Sequence, residues 1–215
     1  RNEQRIKEER IEKLRNSENA SIIGNEIPVT DDYKQNKKNA IEYGKTLKGE
    51  YTNLDTGKSV SLTSGKKNGG LYEILQHDYK DAEHIQSIAA IPQIIEKSIY
   101  IDTIENEDKG KHPKIESYDY YVCGLTIGNE EYTVKAVVSN MEDGSRYYDH
   151  KLTAIEKGRL IDLINKAPES SVSISTQTPE TDALSGIKDK RLLSILQTNA
   201  QENEEFKFSL RGKPR

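Results

Sequence analysis

The chain has no tryptophan, one cysteine, one methionine and two phenylalanines, and both phenylalanines lie in the last ten residues. A single thiol, Cys123, excludes an intrachain disulfide, so nothing signals an oxidising compartment. No run approaches the roughly 18 apolar residues of a membrane-spanning helix, and no membrane partner is expected. The charged start, Arg1 to Arg15, lacks the apolar stretch of a signal peptide. Its first residue is Arg rather than Met, so the chain reads as a piece of a longer protein. Phosphate-binding Gly-Lys loops, Gly-x-Gly-x-x-Gly, His-Glu-x-x-His and Cys/His zinc sets are all missing, so neither a cofactor nor a metal is expected. The acidic cluster Asp102, Glu105, Glu107 and Asp108 lacks the glycine and terminal glutamate of a calcium loop and reads as a solvated turn.

Of the 215 residues, 33% are hydrophobic and 32% charged. A chain this polar cannot offset its ordering entropy along its whole length. Its apolar residues must therefore be concentrated, and Ile, Val, Leu and Tyr gather between about Leu71 and Ile164. The reading that follows has a polar helical flank over 1–47, an α+β domain over 48–166, and a polar linker and tail over 167–215. A net charge of −4 argues against strong non-specific binding to nucleic acid, while leaving room for a local basic cleft.

Residues 1–20 read as a solvated helix or the end of a longer helical connector, with Ile6, Ile11 and Leu14 as its large aliphatics. Thr30-Asp31-Asp32 is a helix start, with the helix running to about Leu47. Glu50–Asn53 and Ser59–Thr63 read as short strands around Asp55-Thr56-Gly57. Leu71–His77 has the pattern of one or two helical turns. Asp81–Tyr100 is a helix by the spacing of Ile85, Ile88 and Ala89, and Pro92 breaks or restarts it. The period then changes to two. Ile99–Ile104, Ile115–Ile127, Glu131–Met141 and Ser145–His150 read as strands, with Tyr118, Tyr120 and Val122 on one face and Tyr121, Cys123 and Leu125 on the other. Gly128-Asn129 and Asp143-Gly144 supply turns. Ala154–Lys166 reads as a closing helix, and Lys188–Gln197 as another short one. The fold class is thus α+β, with N-terminal helices, an antiparallel meander and a closing helix.

Several strings fall in a suggestive order. They are Thr56-Gly57-Lys58, the helix entry Ala82-Glu83-His84-Ile85, the Ile91–Ser98 run, the Gly128–Lys135 hairpin and Tyr147-Tyr148-Asp149-His150. In pattern and order, about Gly44 to Lys166 resembles the barnase–EndoU–colicin–RelE-like nuclease modules, as found in large polyvalent proteins of phages and conjugative elements. The tail string Lys207 to Arg211 is similar to short segments at domain edges in such polyproteins. The resemblance implies RNA as a partner, a bacterial cytoplasmic setting by residence or delivery, and metal-independent cleavage. In that chemistry a base takes the 2′-hydroxyl proton, an acid protonates the leaving oxygen, and cations stabilise the charged phosphorane. Histidine suits both proton transfers near pH 7. Of His77, His84, His112 and His150, the catalytic candidates are His84 and His150. Candidate phosphate and RNA contacts are Lys66, Lys67, Lys135, Arg146 and Tyr148, with Tyr118, Tyr120 and Tyr147 as further stacking residues. Each also has a plainer reading, as a satisfied strand residue or a solvated turn, and Cys123 reads as a small core residue. The domain holds more acidic than basic residues, a point against an RNA-cleaving enzyme. A non-catalytic accessory domain with a cognate protein partner, or an acidic immunity or adaptor protein, is the alternative. The sequence specifies no oligomeric state.

Overall fold

Two long strands organise the chain. In the computed structural model, residues 2–63, 82–150, 152–167, 189–197 and 207–209 are described, except for the side chains of 83, 84, 190, 197 and 207–209. Strands β5 (Ile115–Ile127) and β6 (Glu130–Met141) pair antiparallel over nearly their whole length. Gly128 joins them at φ +61, a left-handed backbone that favours glycine.

The outer edge of each long strand is shared between two shorter ones. Along β5 lie β4 (Ile99–Glu105), antiparallel, and β1 (Ala20–Ile22), parallel. Along β6 lie β7 (Arg146–Tyr148) and β8 (Ala154–Lys157), both antiparallel. The β2 (Gly49–Thr52) and β3 (Ser59–Leu62) hairpin adds to β7 through a parallel pairing, and β9 (Lys207–Ser209) adds to β8. The sheet is therefore mostly antiparallel, with two parallel joins that a simple meander would lack. The α+β class holds.

Alternation along β5 sends successive side chains into two different cores. Tyr121, Cys123 and Leu125 enter one, shared with Val134, Ala136, Val138 and Tyr148. Helix α2 (Tyr33–Thr46), helix α3 (Ala82–Ser87), a 3₁₀ turn (Ile88–Ala90) and helix α4 (Ile91–Lys97) supply residues to it. Asp32 caps α2 by accepting from the Lys34 amide, and Pro92 sits in the first turn of α4, where its missing N–H costs nothing. Ile91, Ile94 and Ile95 are all buried, each contributing roughly 1.5–3 kcal/mol of transfer free energy.

Tyr120 and Val122 point the other way, with Val137, to helix α5 (Leu160–Lys166) and helix α6 (Lys190–Gln197). Helix α1 (Asn2–Asn16) completes this second core through Ile11 and Leu14, 5% and 2% exposed. A helix that reads as solvated from its charge thus buries one narrow stripe.

The closing segment differs from expectation. Ala154–Lys166 is a strand followed by a helix, because β6 offers a free edge beside Tyr132–Lys135 and Gly158, at φ +123, turns the chain before Leu160. Residues 71–77, expected to be helical, lie outside the described residues.

Candidate functional site

Among the described residues, the expected site residues Lys135 and Tyr148 lie on opposite faces of the sheet. Lys66 and Lys67 lie outside the described residues, and so does the side chain of His84, although its backbone is in α3. Lys135 shares the parity of Val137, on the face opposite Val134, Ala136 and Val138. Its ammonium is 3.0 Å from Glu156 Oε2 on β8, with both side chains almost covered.

Tyr148 and His150 do meet. The Tyr148 hydroxyl lies 3.1 Å from His150 Nδ1, and the rings are 5.6 Å apart. His150 is 2% exposed, and burial lowers its pKa to about 3, so the ring is neutral at pH 7. Burial likewise raises the Tyr148 hydroxyl well above the ordinary phenol range.

A second polar cluster lies further along the Tyr121 face. It begins with the β2–β3 turn. Asn53 is buried and donates to the carbonyls of Ile95 and Ser98, which fixes the turn to the end of α4. Its own side-chain oxygen accepts from the Thr56 amide and hydroxyl. Gly57, at φ +69, reverses the chain and presents Lys58 toward β5.

Opposite Lys58 is Asp119, which is 1% exposed. Asp119 Oδ1 accepts from Thr103 Oγ1 at 2.6 Å and from Asn140 Nδ2 at 2.8 Å. Asp119 Oδ2 has no hydrogen-bond donor among the described residues, and Lys58 Nζ stands 3.5 Å away. Asn140 donates also to Ser117, while its Oδ1 is buried without a donor among the described residues. Arg146 is paired in register with Asn140, so it shares this face.

Tyrosines line one side. Tyr100 packs edge to face on Tyr121, ring centroids 5.6 Å apart, and its hydroxyl meets Thr103 at 2.7 Å. Burial and the nearby Asp119 push the Tyr121 hydroxyl up to about 12. A register shift in β4 between Tyr100 and Asp102 leaves the Ile101 carbonyl to accept from Arg10, whose guanidinium lies over the Tyr100 ring at 5.0 Å. Lys13 pairs with Asp55, and Asp55 accepts from the Tyr100 amide. Helix α1 thus borders the cluster.

Chemically this is a carboxylate held through one oxygen, with its other oxygen turned toward a partly exposed ammonium. It can accept a proton or a donor hydrogen bond next to a cation. Among the described residues, no group of three or more His, Cys, Asp or Glu side chains is placed to hold a metal ion.

Sequence reasoning named Thr56-Gly57-Lys58 and Arg146 but not Asp119, Asn140 or Tyr100. The available signal was parity: Asp119 shares the phase of Tyr121, Cys123 and Leu125, so an acid falls on a core-facing row.

The family model described as large polyvalent protein-associated domain 3 matches residues 31–148. No curated protein and no solved structure matches the chain. The matched segment contains Lys58, Tyr100, Asp119, Asn140 and Arg146, whereas Arg10 lies before it and His150 after it.

Proposed function

Because the chain belongs to the large polyvalent protein-associated domain 3 family, we propose that it is a nuclease-like module of a mobile-element polyvalent protein, cleaving RNA without a metal. The observation that carries this reading is the buried Asp119 carboxylate, whose second oxygen faces Lys58 and has no donor among the described residues. RNA cleavage by its own 2′-hydroxyl needs a proton acceptor at that hydroxyl and a cation at the phosphate. Asp119 is of the first kind. Lys58 and Arg146 are of the second.

The acid and base come from one of two sets. The sequence offers His84 and His150. The fold offers Asp119 and Lys58. His150, buried, neutral and bonded to Tyr148, and Asp119, equally buried, would each meet a substrate only after local opening.

The test is cleavage of labelled single-stranded RNA in EDTA by the purified chain and by His84→Ala and His150→Ala variants. The expected result is EDTA-resistant cleavage leaving 2′,3′-cyclic phosphate and 5′-hydroxyl ends. Loss of cleavage in either folded variant assigns proton transfer to the histidines, and retention in both removes them from the mechanism. If the wild-type chain leaves RNA intact, the nuclease reading fails. The chain would then be an accessory domain that binds a protein partner, or an acidic adaptor.

A further inference from the structure

We propose that the cluster of Lys58, Asp119, Asn140 and Arg146 is a ribonucleotide-binding site that opens when the partly exposed Lys58 moves aside, so that ribose hydroxyls donate to the buried Asp119 Oδ2 and Asn140 Oδ1 while the phosphate pairs with Lys58 and Arg146. The proposal rests on the nuclease reading for its choice of a ribose phosphate, but binding can be measured without cleavage.

Buried polar atoms in folded proteins almost always find partners, because leaving one unmet forfeits its hydration. Here two neighbouring side chains each keep one acceptor without a donor among the described residues. They are tied together through the bond from Asn140 Nδ2 to Asp119 Oδ1. That bond, with those from Thr103 and to Ser117, fixes both groups in orientation. A purely structural strut would use the acceptors it buries. Asn140 Oδ1 and the Tyr121 hydroxyl have no hydrogen-bond partner among the described residues, and Asp119 Oδ2 has only the Lys58 ammonium at 3.5 Å, an arrangement that suits a ligand bringing its own hydroxyls.

The charges narrow the ligand further. Lys58 is the only ammonium that an ion pair among the described residues brings to Asp119, and its side chain is 39% exposed. It can swing from the carboxylate to an incoming anion at little cost. Arg146, half-buried on the neighbouring strand, adds a second cation on the same face. Hydroxyl donors beside an anionic group describe a sugar phosphate. The half-exposed Tyr100 at the rim offers an aromatic edge to a base, since Arg10 already lies over its ring.

The experiment is calorimetric titration of the full chain with each of the four ribonucleoside 3′-monophosphates, their 2′-deoxy counterparts and inorganic phosphate. Wild type is compared with Asp119→Asn and Lys58→Met, and each variant's fold is checked by circular dichroism. At least one ribonucleotide should bind, and its deoxy counterpart about ten- to a hundredfold more weakly, the usual worth of a hydrogen bond to a charged group. Asp119→Asn should bring the ribonucleotide to the deoxy level while sparing inorganic phosphate. Lys58→Met should weaken all three ligand types. Absence of nucleotide binding, equal binding of ribo and deoxy forms, or unchanged affinity in both variants overturns the site. Binding that follows this pattern in a chain unable to cleave RNA would sink the nuclease reading and leave the site standing. Cleavage that persists in Asp119→Asn, with no nucleotide bound, would do the reverse.

Discussion

His150 and Asp119 are buried to nearly the same degree, 2% and 1% exposed, yet their surroundings are opposite. His150 is neutral, bonded to Tyr148, and closed in. Asp119 has two donors on one oxygen and no hydrogen-bond donor, among the described residues, on the other. Burial alone therefore does not separate a structural polar residue from a functional one. The separation comes from counting donors against acceptors. A satisfied group should report on stability, and an unsatisfied one on binding.

Substitutions can break this contrast, and the largest effect should come from the satisfied side. Lys135→Met leaves Glu156 buried without its ammonium, and should lower unfolding free energy in urea by about 3–5 kcal/mol, with little change in nucleotide binding.

The next effect is the pH dependence. The pKa of His150 falls from 6.5 to about 3 on folding, so the unfolded chain binds the extra proton between these values. Its contribution is fully present above pH 6.5 and is lost as pH falls toward 3. At pH 5 the loss should reach about 2 kcal/mol relative to pH 7. Urea unfolding at the two pH values, in wild type and His150→Gln, measures it; the variant should lack this component.

Tyr148→Phe removes one buried hydrogen bond and should cost about 1 kcal/mol by thermal unfolding. Smallest of all, Asp119→Asn should shift stability by less than about 1 kcal/mol, because the carboxamide keeps an oxygen for Thr103 and Asn140 and the change removes a buried charge. A large destabilisation there would make Asp119 a strut and erase the contrast.

The fold was largely legible because period-two alternation from Tyr118 to Leu125 both marks a strand and assigns its two faces, and the two cores follow that assignment. Turn glycines fixed the long hairpin. Strand β1 was not legible, since three residues carry too little pattern. Ala154–Lys157 was misread because the residues that follow it are helical, while its partner, β6, is distant in sequence. Much less of the candidate site could be read. His150 stands out chemically, but only three dimensions show that its nitrogen meets Tyr148. Lys135 looks like a free cation on a strand until Glu156 arrives from β8. Asp119 hides between two tyrosines, where an acid reads as a solvated strand residue unless its phase is counted.

The shared outer edges of β5 and β6 also carry a kinetic consequence. The long hairpin needs only local closure, whereas β1 and β8 must each find an edge already half occupied by another strand. Loop-closure entropy favours the hairpin as the early structure, with the chain's outer segments docking afterwards. Substitutions in Val134 or Leu125 should therefore slow folding, while those in Ile22 or Ile155 should mainly speed unfolding, as stopped-flow chevrons would reveal. In such an order, the strands bearing Asp119 and Asn140 come together before the rest of the chain has settled around them.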